Sequence, residues 1–240
     1  MPLRPAVLTS AVLDTADLQD QACALYRQVL GHGEPGMELN PRLLSALVRN
    51  GGSAVGLLEA GRLVAFAYGV HARDEHGEYH YSQSAAVAPG HQGRGLGRQL
   101  KQAQAEAVRA HGVRTMRWAY DPVLGRNAHF NLDVLGARAR WYVDDFYFRP
   151  GTDRVVVEWD LEANPPPAQV AERLVVPAGE VDAAARARVR ARFHELLAAG
   201  LVAVTCGRGE GGGSVYGFAA PARRAGGSDR QAPPRPQEQP

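Results

Sequence analysis

Two periods of apolar and polar positions run along this chain, and the switches between them mark its elements. Short runs of β-branched, aromatic and small apolar residues predict strands at 6–11, 53–58, 63–70, 78–87, 114–120, 138–148 and 154–161. Between them, apolar residues recur at helical spacing. Leu18, Ala22, Leu25 and Val29 define a face of a helix over 17–30, and Asn40 reads as the N-cap of a second over 41–49. A third helix starts after Gly95, carries Leu96, Leu100, Ala103 and Ala107 on one side, and closes at Gly112. A fourth covers 127–135 and stops at Gly136. Along 78–87, strand alternation sets Glu78, His80, Ser82 and Ser84 on one side and Tyr79, Tyr81 and Gln83 on the other.

The pattern changes after residue 163. Residues 164–168, which begin Asn-Pro-Pro-Pro, predict a stiff, extended linker closing a core over 1–163. An extension follows over 169–221, with a strand at 173–176, a helix over 181–199 and a hairpin across a glycine-rich turn. Val189, Phe193, Leu196 and Leu197 form that helix's buried stripe. The extension is too short to fold alone reliably, so it is expected to dock on the core. Residues 222–240 are polar and rich in Pro and Gly, which predicts disorder.

Composition narrows the class. With 240 residues, 45% hydrophobic and 22% charged, the chain reads as an ordinary globular protein. A net charge of +2 points to neither nucleic acid nor an anionic membrane. Cys23 and Cys206 are too few and too far apart for a disulfide framework. The histidines show no metal-ligand spacing. No apolar run reaches membrane length, and the first residues lack a signal peptide's apolar core, so the expected location is cytoplasmic.

The chemistry concentrates in Ala85-Ala-Val-Ala-Pro-Gly-His-Gln-Gly-Arg-Gly-Leu-Gly-Arg98, a strand end followed by a glycine-rich loop that opens into a helix. A helix start leaves its first amides unpaired, and the peptide dipoles add positive charge there. Gly93, Gly95 and Gly97 let backbone approach an anion, while Arg94 and Arg98 supply charge. A P-loop would need Lys-Ser/Thr where Arg98-Gln99 stands. A dinucleotide fingerprint would need a glycine at 98 and an acidic residue about 20 positions on.

What remains, Gln92-x-x-Gly95-x-Gly97 after a Val-x-Pro strand end, resembles the acyl-CoA pyrophosphate loop of the GNAT superfamily of N-acyltransferases. The order of predicted elements over 5–161 is similar to GNAT topology. The segment from Trp118 to Ala137, followed by Tyr142, Asp145 and Tyr147, looks like a bacterial branch of that superfamily. The resemblance implies an α/β (α+β) fold with a mixed sheet splayed between the fourth and fifth strands, plus the small C-terminal extension. Acetyl-CoA, or another acyl-CoA, is the implied cosubstrate, with no metal. Its pyrophosphate would lie on Gln92, Gly93, Arg94, Gly95, Leu96, Gly97 and Arg98. The thioester carbonyl would meet backbone amides near Ala86, Val87 and Ala88. Asn127, which can equally be a helix N-cap, and Phe130 would flank the pantetheine arm.

Direct attack by an amine then needs a group to take the ammonium proton and one to protonate the departing thiolate. The tyrosine that many GNATs use for the second task is replaced by Leu132. Either the thiolate leaves unassisted, or another group serves, with Tyr120 the first substitute and Tyr142 the next, and an aromatic packing role the alternative for Tyr120. His80 has a suitable intrinsic pKa for a base, with Glu78 or a water chain as alternatives. Asp144 and Asp145 are candidates to hold a cationic amine, or are solvated loop carboxylates. Arg186, Arg188, Arg190 and Arg192 fan around their helix, which favours a solvated face over a nucleic-acid surface. The resulting expectation is an N-acyltransferase acting on a primary amine of a small molecule or amino acid, with a homodimer suggested by an exposed sheet edge. A non-catalytic acyl-CoA-binding regulator is the alternative.

Overall fold

Thr15 and Asn40 fix where the first two helices begin. A computed structural model of the chain describes residues 8–31, 38–163 and 168–221. In it the Thr15 side chain accepts from Leu18 N, capping α1 (Ala16–Val29). Asn40 accepts from Arg42 N ahead of α2 (Pro41–Arg49), with proline at the position where its missing N–H costs nothing. The linker prolines and the tail at 222–240 lie outside the described residues, as do positions 6 and 7 of the first predicted strand.

The chain divides into two compact units, Met1–Arg73 with Glu78–Met116 and Asp74–Gly77 with Arg117–Pro240. In the first, strands β1 (Leu8–Val12), β2 (Ser53–Glu59), β3 (Arg62–Asp74) and β4 (Gly77–Val87) lie in the order β1-β2-β3-β4. The hairpin of β2 and β3 turns at Ala60 and Gly61, both with positive φ, and pairs Glu59 with Arg62. The β3 strand runs four residues beyond the predicted Val70. Helices α1 and α2 bury Ala22, Leu25 and Leu44 with Phe66, Tyr68 and Ala86. Helix α3 (Leu96–Ala110) buries Leu96 and Leu100 with Val55, Leu57, Ala65 and Ala67. Each such leucine, fully buried, is worth about 1.5–3 kcal/mol.

In the second unit the strand order is β5-β7-β6-β9-β10-β8, where β5 is Thr115–Tyr120, β6 Arg138–Val143, β7 Arg154–Asp160, β8 Glu172–Val176, β9 Val202–Arg208 and β10 Ser214–Ala219. The extension continues this sheet, because β9 pairs antiparallel with β6 through Ala203 and Ala139. Helix α5 (Ala183–Ala198) packs Phe193 against Tyr142, Tyr216 and Phe218, with ring centroids 5.1, 5.1 and 5.3 Å away.

Two predicted elements are corrected. The strand expected over 138–148 stops at Val143, because Asp145 and Phe148 take positive φ and the backbone of 145–152 bonds to itself, as in Phe148 N to Asp145 O. The helix expected from Asn127 starts earlier, as α4 (Gly125–His129), and passes into a π-helical turn over Phe130–Val134. Asn127 therefore lies inside the helix and is not its N-cap. The turn before α4 is instead shaped by Asp121, whose carboxylate accepts from Val123 N, and by Tyr216, which donates to Pro122 O.

Candidate functional site

The glycine loop is built from both of its ends. After Val87 the chain makes a 3₁₀ turn, Pro89–His91, and the Gln92 amide reaches back to donate to Val87 O at 3.1 Å. Gly93 and Gly95 then take φ of 77° and 80°, a region that favours glycine, and open space lies where a Cβ would stand on either. Gly95 is the N-cap of α3. Among the described residues no side chain caps that helix start, and its first turn holds no acidic residue. Arg98 and Gln99 return their amides to Gly95 O, while buried Leu96 anchors the turn in the core. Gln92, Gly93, Arg94, Gly95 and Arg98 are exposed and Gly97 is half-buried. Uncapped amides, exposed glycines and a guanidinium suit a diphosphate.

Strand β4 changes face just before this loop. Ser82 bonds to Gln104 and Lys101 of α3, and Val87 packs with the cluster that holds Leu96 and Leu100 of the same helix. Ala86, between them, packs with the α1–α2 cluster. Regular alternation sends residues five apart to opposite faces, so an irregularity lies between Ser82 and Ala86. Of the three amides expected to meet a thioester carbonyl, that of Ala88 is already engaged, donating to Val64 O at 2.9 Å.

His80 does not match its expected titration. Its side chain is buried, with Nε2 2.9 Å from Ser53 Oγ, in a network that continues through Gln104, Ser82 and Lys101. Burial, with the Lys101 charge secondary, pushes its pKa down to about 4. The imidazole is thus neutral at pH 7 but weakly basic. Glu78, the alternative, is exposed and lies 3.6 Å from His71.

Tyr120 is buried, its hydroxyl lies near that of Tyr216 but meets no partner in strict hydrogen-bond geometry among the described residues, and burial raises its pKa above the usual phenol value. Tyr142 donates to Asp153 Oδ2 at 2.9 Å. Leu132 is buried in the π-helical turn, Asn127 is exposed and Phe130 is half-buried. Asp144 and Asp145 face Arg190 at 3.6 and 3.5 Å, and Asp144 also meets His194 at 2.8 Å. Three of the four arginines named on α5 make ion pairs, Arg186 with Asp121, Arg190 with Asp153, and Arg192 with Glu172 and Glu195, while Arg188 is exposed. Two residues near the loop escaped the sequence reading. Lys101 sits at a helix position flanked by buried Leu100 and Gln104, a detectable signal. Glu59 gives none, since its partners His91 and Arg94 are remote in sequence.

Among the described residues no group of three or more His, Cys, Asp or Glu is placed to hold a metal ion, and no helix is long and apolar enough to cross a membrane.

These parts define an α/β protein whose strand–loop–helix junction offers uncapped amides to a phosphate. Residues 32–129 match the family model of the acetyltransferase (GNAT) family. The solved structures give the same fold. The ribosomal-protein-S18-alanine N-acetyltransferase of Escherichia coli is 17% identical, with 66% of this chain and 97% of that one covered and a TM-score of 0.52. The Salmonella typhimurium protein yncA, solved with its cofactor acetyl-CoA, is 18% identical, with 68% and 98% covered and a TM-score of 0.51. An N-acetyltransferase of Staphylococcus aureus Mu50 is 16% identical, with 65% and 100% covered and a TM-score of 0.53. No curated protein matches the chain by sequence.

Proposed function

We propose that the protein is an acyl-CoA-dependent N-acyltransferase that uses acetyl-CoA to acylate a primary amine of a small molecule or amino acid. The observation that carries this is the uncapped start of α3 behind Gly93 and Gly95. The amides from Gly93 to Arg98 and the Arg98 guanidinium would hold the diphosphate, and Asn127 and Phe130 the pantetheine arm. Bound acyl-CoA supplies an activated carbonyl, and the amine takes the acyl group directly, with the CoA thiol as leaving group. Tyr120 is buried and retains its proton, which makes it our proposed donor to that thiol. With His80 weakly basic and buried, we assign removal of the ammonium proton to water. We place the protein in the cytoplasm, as a homodimer.

The burial of His80 and the presence of Leu132 favour one competing reading, a regulator that binds acyl-CoA without turnover. Thiol release from acetyl-CoA, measured across a panel of amines, amino acids and a peptide with N-terminal alanine, separates the two. Amine-dependent release supports the enzyme. Saturable acetyl-CoA binding without release across the panel supports the regulator.

A further inference from the structure

One carboxylate grips the glycine loop at two points. Glu59 Oε2 lies 2.9 Å from His91 Nε2, and Glu59 Oε1 accepts from Arg94 Nη2 at 3.0 Å. His91 immediately precedes Gln92, and Arg94 stands between the two positive-φ glycines, so the two contacts bracket the start of the loop. Glu59 is itself rigidly placed. It ends β2 at the two-residue turn and is paired on both sides, with Leu8 of β1 and Arg62 of β3. The bonds from His91 and then Arg94 hold its carboxyl below the usual carboxylate range, so it is charged at neutral pH.

A negative charge beside a site for a diphosphate opposes the ligand, and that cost needs a compensating gain. The gain available is conformational. A segment with three glycines in five residues loses more backbone freedom on ordering than any other composition, and a ligand that must order it binds more weakly. Resting on the acyl-CoA reading above, we infer that Glu59 is a positioning residue. It holds the loop in its anion-binding conformation before the cosubstrate arrives, through His91 and Arg94 together, and its hydrogen bonds matter more than its charge.

Hydrogen-bonding capacity and charge can be separated by substitution. Glu59→Gln keeps a carbonyl oxygen for Arg94 and an amide able to pair with His91, while removing the charge that opposes the ligand. Glu59→Ala removes both. Calorimetric titration of CoA into the full-length chain, with thermal melts confirming that each variant is folded, reads the difference. The expected result is at least a tenfold loss of affinity in Glu59→Ala, and affinity equal to or above wild type in Glu59→Gln. In turnover, KM for acetyl-CoA rises in Glu59→Ala while kcat stays near wild type. Wild-type or tighter binding by Glu59→Ala overturns the clasp while leaving the acyl-CoA reading intact, and so does an equal loss in both variants, which makes the charge the active feature. Failure of the wild type to bind CoA overturns the acyl-CoA reading and the clasp with it.

Discussion

Lys101, the only lysine of the chain, donates to Ser82 Oγ at 2.7 Å, with both side chains buried between α3 and β4. Burial pushes its pKa down to about 7 from the usual 10.5. Between those values the unfolded chain holds a proton that the folded protein does not, so stability must rise with pH across that window. Thermal melts from pH 7 to 10 should show this rise in the wild type and a smaller one in Lys101→Met. Equal slopes would contradict the assignment of a neutral buried amine.

His80 gives a second window by the same reasoning. Its folded pKa of about 4 lies below the ordinary 6.5, so acidification through that range charges the unfolded chain first and destabilises the fold. The full effect is about 3 kcal/mol. His80→Gln should unfold less steeply with falling pH between 6.5 and 4 in urea titrations, and parallel curves would count against it.

Gly69 makes room for that imidazole. A Cβ at this position would strike Tyr81 O and His80 Nε2, one of them backbone that cannot yield. Gly69→Ala should cost about 1–3 kcal/mol in chemical denaturation. A neutral result would mean that β3 and His80 are less tightly apposed than described.

Arg117 anchors a buried ion network in the second unit. It pairs with Asp74 and Glu158, Arg140 shares Glu158, and the Trp141 ring lies 4.5 Å from the guanidinium carbon. Arg117→Met would take the arginine from Asp74 and leave Glu158 to Arg140, both carboxylates having side chains no more than 5% exposed, at a cost of about 3–5 kcal/mol. Denaturation that shifts by less than about 1 kcal/mol would show that water reaches them.

Much of this was legible in the sequence, and the limits have physical causes. Asn40 announces itself as a cap through local chemistry, and the glycine-rich strand–loop–helix junction through its spacing. The end of β6 did not, because Phe146, Tyr147 and Phe148 favour a strand while the fold uses positive φ at Asp145 and Phe148 to make a loop. The burial of His80 is not legible, because alternation names the residues that share a face and not what covers it. Here the cover is α3 with Lys101 and Gln104. Glu59 was invisible because its bonds span 32 and 35 positions.

The association of CoA with the three-glycine loop is tested most directly by titrating CoA into wild type and Gly95→Asp. The substitution sets a carboxylate and a side chain where Gly95 now caps α3 with φ of 80°. Saturable binding by the wild type and at least a tenfold loss in a folded Gly95→Asp are expected. Equal affinity in the two proteins would show that the diphosphate lies elsewhere.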